Sequence, residues 1–219
     1  METKFSRLLD NSIILKAAKN CMDIYKLHET NYSIDELSEY IIICIRGTAN
    51  LNDWTTNIKF LLRNKDTHRG FKINAQNILT KLIMKNFLFT STKKLIITGH
   101  SLGGATALVL ADILLCRNIC KCDDLILITF GSPRPGGRRL KHRLKNVQHF
   151  RFVHGDDIVP FSPPYLLGYT HTHSMLYLED LNPTPFDHIQ DHHIENYYKS
   201  LVALTNYSEF SFEQKRSTM

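Results

Sequence analysis

No apolar run in this chain of 219 residues is long enough to cross a bilayer, which takes about 20 consecutive apolar residues. The longest uninterrupted runs are strand-sized. The N-terminus, Met1-Glu2-Thr3-Lys4-Phe5-Ser6-Arg7, is polar and lacks the apolar core of a signal peptide. The expected compartment is therefore the cytoplasm, unless a leader has been cut off. Cysteine is scarce and odd in number: five, at Cys21, Cys44, Cys116, Cys120 and Cys122. A chain with its own core and no leader is expected to keep these as reduced thiols rather than build a disulfide framework. The Cys116/Cys120/Cys122 spacing fits no standard zinc pattern. Internal repeats and low-complexity linkers are also absent. No nucleic-acid motif or aromatic stacking pattern accompanies the densest basic run, Arg134, Arg138, Arg139, Lys141, His142, Arg143 and Lys145. The net charge of +6 is thus compatible with an anionic membrane surface, the basic run reads as a solvated helix face, and no nucleic-acid partner is expected.

What is present describes a globular domain. Hydrophobic residues make up 43% and charged residues 22%, well away from disordered compositions. The length suits a single domain over 1–219, with 1–35 as an N-terminal helical cover and 208–219 as a loose tail. Residues 5–27 place Leu8, Leu9, Ile13, Ile14, Ala17, Ala18, Cys21 and Ile24 at helical spacing. Residues 31–38 are polar and turn-like. Tyr40–Ile45, Leu95–Thr98 and Leu125–Phe130 are continuous apolar runs suited to strands buried on both faces. Residues 71–89 and 105–116 read as helices, 138–146 as a short basic helix and Gln148–Val153 as another strand. Met175–Leu178 reads as an edge strand and 187–204 as a last helix. Strands alternating with helices predict an α/β architecture with a mostly parallel central sheet and helices on both faces.

The chain is organised around Leu95-Ile96-Ile97-Thr98-Gly99-His100-Ser101-Leu102-Gly103-Gly104-Ala105. An apolar strand, a glycine-rich turn and an apolar helix follow one another there, which is the context required of a G-x-S-x-G nucleophile elbow. A serine hydroxyl attacks only when held clear of the fold and beside a base. A sharp strand-to-helix turn lifts Ser101 out of the sheet, and the unpaired N–H groups of the first helical turn can face a developing negative charge.

A serine nucleophile needs a histidine, and the histidine an orienting carboxylate. In the chain order serine, acid, histidine, Asp157 fits the acid because it follows the strand ending at Val153, with Asp156 as its neighbour and rival. Downstream, His171, His173, His188, His192 and His193 qualify by order. His192 and His193 stand where the last helix begins and can reach back over the sheet edge. His188 and His192 are one helical turn apart, as metal ligands often are, but no Glu sits between them as in H-E-x-x-H. His100 is expected to point into the fold as a hydrogen-bonded core histidine.

Several motifs now stand in one order: Arg46-Gly47-Thr48 with Asp53-Trp54, Arg69-Gly70-Phe71, Gly99 to Ala105, Thr129-Phe130-Gly131-Ser132-Pro133-Arg134, His154-Gly155-Asp156-Asp157-Ile158-Val159-Pro160, and His192-His193-Ile194-Glu195-Asn196-Tyr197. Over residues 40–204 the chain resembles the class 3 lipases, a group with the α/β-hydrolase fold. The resemblance implies Ser101 as nucleophile, Asp157 as acid and His192 as base, with His193 as the alternative base. It implies an oxyanion hole from the backbone N–H groups of Thr48 and Leu102. The segment Trp54–His68 is short where secreted fungal members carry a helical lid, and their disulfides and leader have no counterpart.

The sequence therefore predicts a serine carboxylester hydrolase for acylglycerol or other lipid esters, needing no metal or organic cofactor. The expected partners are a lipid or small ester substrate and, transiently, a lipid surface. An esterase or phospholipase on a non-triglyceride ester is the alternative within enzymes; a catalytically silent lipid-binding protein is the alternative outside them. The apolar run Phe161–Tyr169 and Met175-Leu176 are candidates for the acyl-pocket wall.

Overall fold

The computed structural model describes residues 9–27, 30–48, 67–85, 93–181 and 190–206. Helix α1 (Asn11–Asp23) starts at Asp10, whose carboxylate accepts the Ser12 N–H at 2.8 Å and caps an otherwise unpaired donor. Ile14, Ala17, Ala18 and Cys21 form its buried stripe. Strands β1 (Tyr32–Glu36) and β2 (Tyr40–Ile45) pair antiparallel. Helix α2 (Arg69–Met84) precedes β3 (Lys94–His100), and α3 (Leu102–Cys116) leads to β4 (Leu125–Phe130). The short α4 (Arg138–Leu144) leads to β5 (Gln148–His154), then β6 (Leu176–Leu178) and α5 (Ile194–Asn206) complete the series.

These strands form a six-stranded sheet in the order β1-β2-β3-β4-β5-β6. From β2 to β6 every pairing is parallel. Each new strand is added on the same side of the last. Crossovers of one hand then bring their helices to one face, and α2, α3 and α4 share a core with that face. Helices α1 and α5 cover the other. Alternation of side chains decides the layers. Ile41, Ile43, Ile45, Leu95 and Ile97 enter the first core, while Ile42, Cys44 and Ile96 enter the second. Helix α3 is buried almost all round because it lies on the sheet with neighbours on both flanks, and its sequence is apolar on every side.

The α/β-hydrolase type of sheet expected from the sequence is present, with two local corrections. Residues 31–38 are not a turn: Tyr32–Glu36 is an edge strand, paired with β2 through Tyr32↔Ile45 to Glu36↔Ile41. Its side chains are mostly half-exposed, so the polar composition that suggested a turn reflects an edge whose ladder is made by main chain alone. The boundary drawn at residue 35 for a helical cover falls inside this strand. The last helix begins at Ile194, and His192 belongs to a separate 3-10 turn, Gln190–His192. Residues 5–8, the loop with Pro183 and Pro185, and the tail 208–219 lie outside the described residues.

Register aligns the carboxyl ends of three central strands, with His100 opposite Phe130 and Phe130 opposite Phe152. The ladder continues one residue past each end. The Ser101 N–H donates to the Phe130 carbonyl at 2.9 Å, and the Gly131 N–H to the Phe152 carbonyl at 3.1 Å. In open α/β sheets this edge is where ligands bind.

Candidate active site

Ser101 sits on the turn between β3 and α3 with φ 57 and ψ −129, a conformation that costs a side-chain-bearing residue about 1–3 kcal/mol. The turn is tight because a Cβ on Gly99 would strike the Gly103 backbone, and one on Gly103 the Ile45 carbonyl. The exit of β2 therefore presses against the start of α3. Thr48 lies one residue beyond Gly47, whose Cβ position is 3.3 Å from Ser101 Cβ. Leu102, half-buried, is the first residue of the helix, and Thr48 is exposed. Ser101 itself has no exposed surface, and its hydroxyl has no hydrogen-bond partner among the described residues.

Asp157 and His192, 35 residues apart in the chain, are in contact. Asp157 Oδ2 accepts from His192 Nδ1 at 2.7 Å, and both side chains are buried. Because a carboxylate accepts, Nδ1 carries the proton. Nε2 is then the lone-pair nitrogen of the neutral ring, and it too is buried without a partner among the described residues. Two further donors satisfy the same carboxylate: the Tyr197 hydroxyl to Oδ2 at 2.5 Å and the Val159 N–H to Oδ1 at 2.9 Å. A buried carboxylate is tolerable only when so supplied. Burial and the adjacent Asp157 charge push the Tyr197 phenol well above its ordinary value, so it stays a donor.

The rivals stand elsewhere. Asp156 and His193 are exposed. Asp156 contributes its N–H, which donates to Asp191 Oδ2 at 2.7 Å. That bond ties the acid-bearing loop to the turn that carries His192. His171 Nε2 binds the Pro160 carbonyl at 2.6 Å, and the His173 ring packs edge-on against His149. His188, Asp53 and Trp54 lie outside the described residues. Among the described residues, no group of three or more His, Cys, Asp or Glu could hold a metal ion.

Three residues given no role by the sequence reading frame this pair. Tyr197 follows His192 by five positions on the buried stripe Ile194, Tyr197, Leu201 of α5, a spacing visible in the sequence. Gly131 has φ +57, and a Cβ there would lie 2.8 Å from Asp157 Oδ2 and 2.9 Å from His192 Cε1; no local signal announces this. Tyr25 reaches the site through His100. Its hydroxyl is 2.9 Å from His100 Nδ1, and His100 Nε2 is 2.6 Å from the His192 carbonyl. Burial, then the proximity of His192, holds His100 well below the usual imidazole range, hence neutral.

A mostly parallel sheet with helices on both faces and a serine on a strained strand-to-helix turn at its carboxyl edge is the α/β-hydrolase fold. The comparisons with known proteins narrow the class. The family pattern Lipase (class 3) matches residues 42–167, more than half of the chain. The chain belongs to the class 3 lipase family. It is 31% identical over 156 residues to secreted mono- and diacylglycerol lipase 1 of Fusarium solani, covering 66% of this chain and 46% of that protein. It is 28% identical over 171 residues to a lipase of Rhizomucor miehei, covering 72% and 47%. The crystal structure of a lipase from Rhizopus microsporus var. chinensis shares the fold, with a TM-score of 0.63, 20% identity and 83% of each chain covered. The chain thus spans just under half the length of the two relatives matched by sequence.

The cytoplasmic expectation does not stand. A relative described as secreted aligns over 66% of the chain. A polar N-terminus in a chain that spans under half of its relatives has no bearing on the compartment.

Proposed function

We propose that this chain is a serine carboxylester hydrolase acting on acylglycerols or other lipid esters outside the cytoplasm. Ser101 is the nucleophile, His192 the base, Asp157 the acid, and the N–H groups of Thr48 and Leu102 hold the oxyanion. The observation that carries the reading is a matched pair of orphans. The Ser101 hydroxyl and His192 Nε2 are both buried without partners among the described residues, and Nδ1 of the same ring is locked to a buried carboxylate. Five other buried nitrogens, on His68, His154, His171 and His173, are in the same state among the described residues, so what singles these two out is their place: one on the elbow turn, the other on the ring locked to Asp157. Here the unpaired atoms are a nucleophile and an acceptor for its proton.

In the reaction, Nε2 takes the Ser101 proton as Oγ attacks the ester carbonyl. The carbonyl oxygen becomes an oxyanion facing the two amides, each such donor contributing about 3 kcal/mol. Asp157 holds the tautomer and stabilises the imidazolium. Protonated Nε2 then passes its proton to the departing alcohol oxygen, leaving Ser101 acylated. Water attacks by the same route and releases the acid. The names of the relatives support an acylglycerol as substrate.

Labelling with a fluorophosphonate probe tests the assignment. The expected result is one modified residue, Ser101, with loss of turnover of a short-chain nitrophenyl ester. Unmodified Ser101 in folded protein, or unchanged turnover by Ser101→Ala, removes it.

A further inference from the structure

Apolar exposure on this molecule is concentrated. Among the described residues, eight of the twelve exposed large hydrophobic side chains lie between Ile158 and Leu181. The densest group, Ile158, Phe161, Tyr165, Leu166 and Leu167, begins one residue after Asp157. Leu166 is 95% exposed, Tyr165 59% and Phe161 58%. The loop is nevertheless anchored. The Arg134 guanidinium donates to the carbonyls of Phe161 and Pro163, the latter at 2.7 Å, and the Arg134 N–H to the Ser162 carbonyl at 2.8 Å. The sequence reading placed this run as acyl-pocket wall. At these exposures Phe161, Tyr165, Leu166 and Leu167 face solvent, as a rim that follows Asp157 in the chain.

The neighbouring surface is basic on one flank. Between Leu125 and Gly155 the chain carries seven Lys and Arg and no Asp or Glu; of the seven, Arg151 is buried, Arg143 is paired with Asp112 and Arg134 is bound to the apolar loop. Helix α4 within this run exposes Arg138, Lys141 and His142. Bridges Thr67↔Gly136 and Gly136↔Thr170 bind the end of the apolar loop to the segment entering α4. A separate acidic group lies near Tyr177 on β6: burial first, then the charges of Asp156, Glu179, Asp191 and Asp180, hold its phenol above the ordinary value. The apolar tip therefore has one cationic side.

We propose that the rim Ile158–Leu167, with the basic face of α4 beside it, docks the molecule on an anionic lipid surface. The proposal rests on the lipid-ester reading above and adds to it the docking element and the charge of the lipid. A convex tip of Leu, Phe and Tyr enters the interface as an apolar wedge, and the adjacent cations meet anionic headgroups, each worth about a five-fold change in partitioning. The loop starts beside Asp157, so insertion carries the residue proposed as acid toward the lipid.

The test uses Ser101→Ala in the 219-residue chain, which cannot consume the lipid, sedimented with vesicles of phosphatidylcholine alone or mixed with phosphatidylglycerol. Binding to the mixed vesicles is expected to be at least ten-fold tighter and to weaken with salt. Leu166→Asp, at a side chain too exposed to matter for folding, is expected to lose about ten-fold or more on both vesicles. Arg138→Gln with Lys141→Gln is expected to lose about twenty-fold on the mixed vesicles only. In an otherwise unaltered chain these substitutions leave soluble nitrophenyl ester turnover unchanged. Equal binding to both vesicles, or Leu166→Asp binding like its parent, overturns the proposal. So does self-association through the rim in place of vesicle binding, seen as a concentration-dependent mass that Leu166→Asp abolishes. If the vesicle pattern holds while the unaltered chain cleaves no ester, the catalytic reading fails and the docking surface stands.

Discussion

His100 donates from Nε2 to the backbone carbonyl of His192 across 2.6 Å, and the two rings lie 4.5 Å apart. The donor assignment follows from the carbonyl, which only accepts. Nδ1 of His100 is then an acceptor, and the Tyr25 hydroxyl donates a hydrogen bond to it. The residue before the nucleophile thus holds the main chain of the residue proposed as base, and α1's trailing 3-10 turn holds that residue in turn.

His100→Ala is therefore expected to lower kcat on a soluble ester by about 10²-fold, the scale of an ångström's misplacement, with a smaller change in KM. Tyr25→Phe is expected to lower it less. Because His100 stays neutral, the acid limb of the wild-type rate profile should report a single ionisation. Two ionisations in that limb, or a full rate in His100→Ala, would contradict the bracing role.

Asp157 and Asp156 are adjacent, but only Asp157 meets His192. Asp157→Asn is expected to cost about 10⁴-fold in kcat through the wrong tautomer. Asp156→Asn should stay within a few-fold, since its contribution to the loop is an N–H that Asn retains. Tyr197→Phe removes one of three donors to a buried carboxylate and should destabilise by about 1–3 kcal/mol, with a drop in kcat. Steady-state kinetics alongside urea titration separates the three.

The backbone at Ser101 occupies φ 57, ψ −129, where glycine is at ease and serine is not. Ser101→Gly is expected to raise stability by about 1 kcal/mol while abolishing turnover, and Ser101→Ala to abolish turnover with no such gain. Equal melting temperatures for the two variants would mean that the elbow stores no strain.

Acid should unfold this protein through its histidines. Burial, first among the causes in each, lowers His100 and His149 well below the usual value and His171 to about 3. A lowered histidine is neutral when folded and takes its proton only when unfolded. Its stability contribution is thus present above pH ~6.5 and lost as pH falls below it. Each contributes a slope of about 1.4 kcal/mol per pH unit. Urea midpoints measured from pH 8 to 5 should fall steeply below 6.5, and His149→Gln, losing one titrating group, should flatten the fall.

The central strands were legible because Tyr40–Ile45 and Leu125–Phe130 are buried on both faces and therefore apolar throughout. The elbow was legible because two glycines and a serine are demanded by one local turn. Strand β1 was not, since it is an edge strand whose side chains, apart from the buried Tyr32, are half-buried or exposed and so carry no continuous apolar run. The boundary at Ile194 was hidden as well: a 3-10 turn before a helix has the same composition as the helix. Tyr197 was visible as a spacing but carried no sign of its partner. Gly131 was one glycine in a turn until the acid and the imidazole were found against it.

The sequence by itself determined the fold class, the serine turn and the short set of acids and histidines that follow it, because periodicity, turn chemistry and chain order are local properties. The motifs shared with the class 3 lipases pointed to Asp157 and His192 over their neighbours, but only the tertiary structure shows the contact between the two. Neighbouring residues in a loop or turn point to different sides, and the direction each takes is set by packing against elements far away in the chain. The Asp191 clamp on the Asp156 N–H and the Tyr197 hydroxyl on Asp157 set that direction here, across 35 and 40 residues that no local pattern spans.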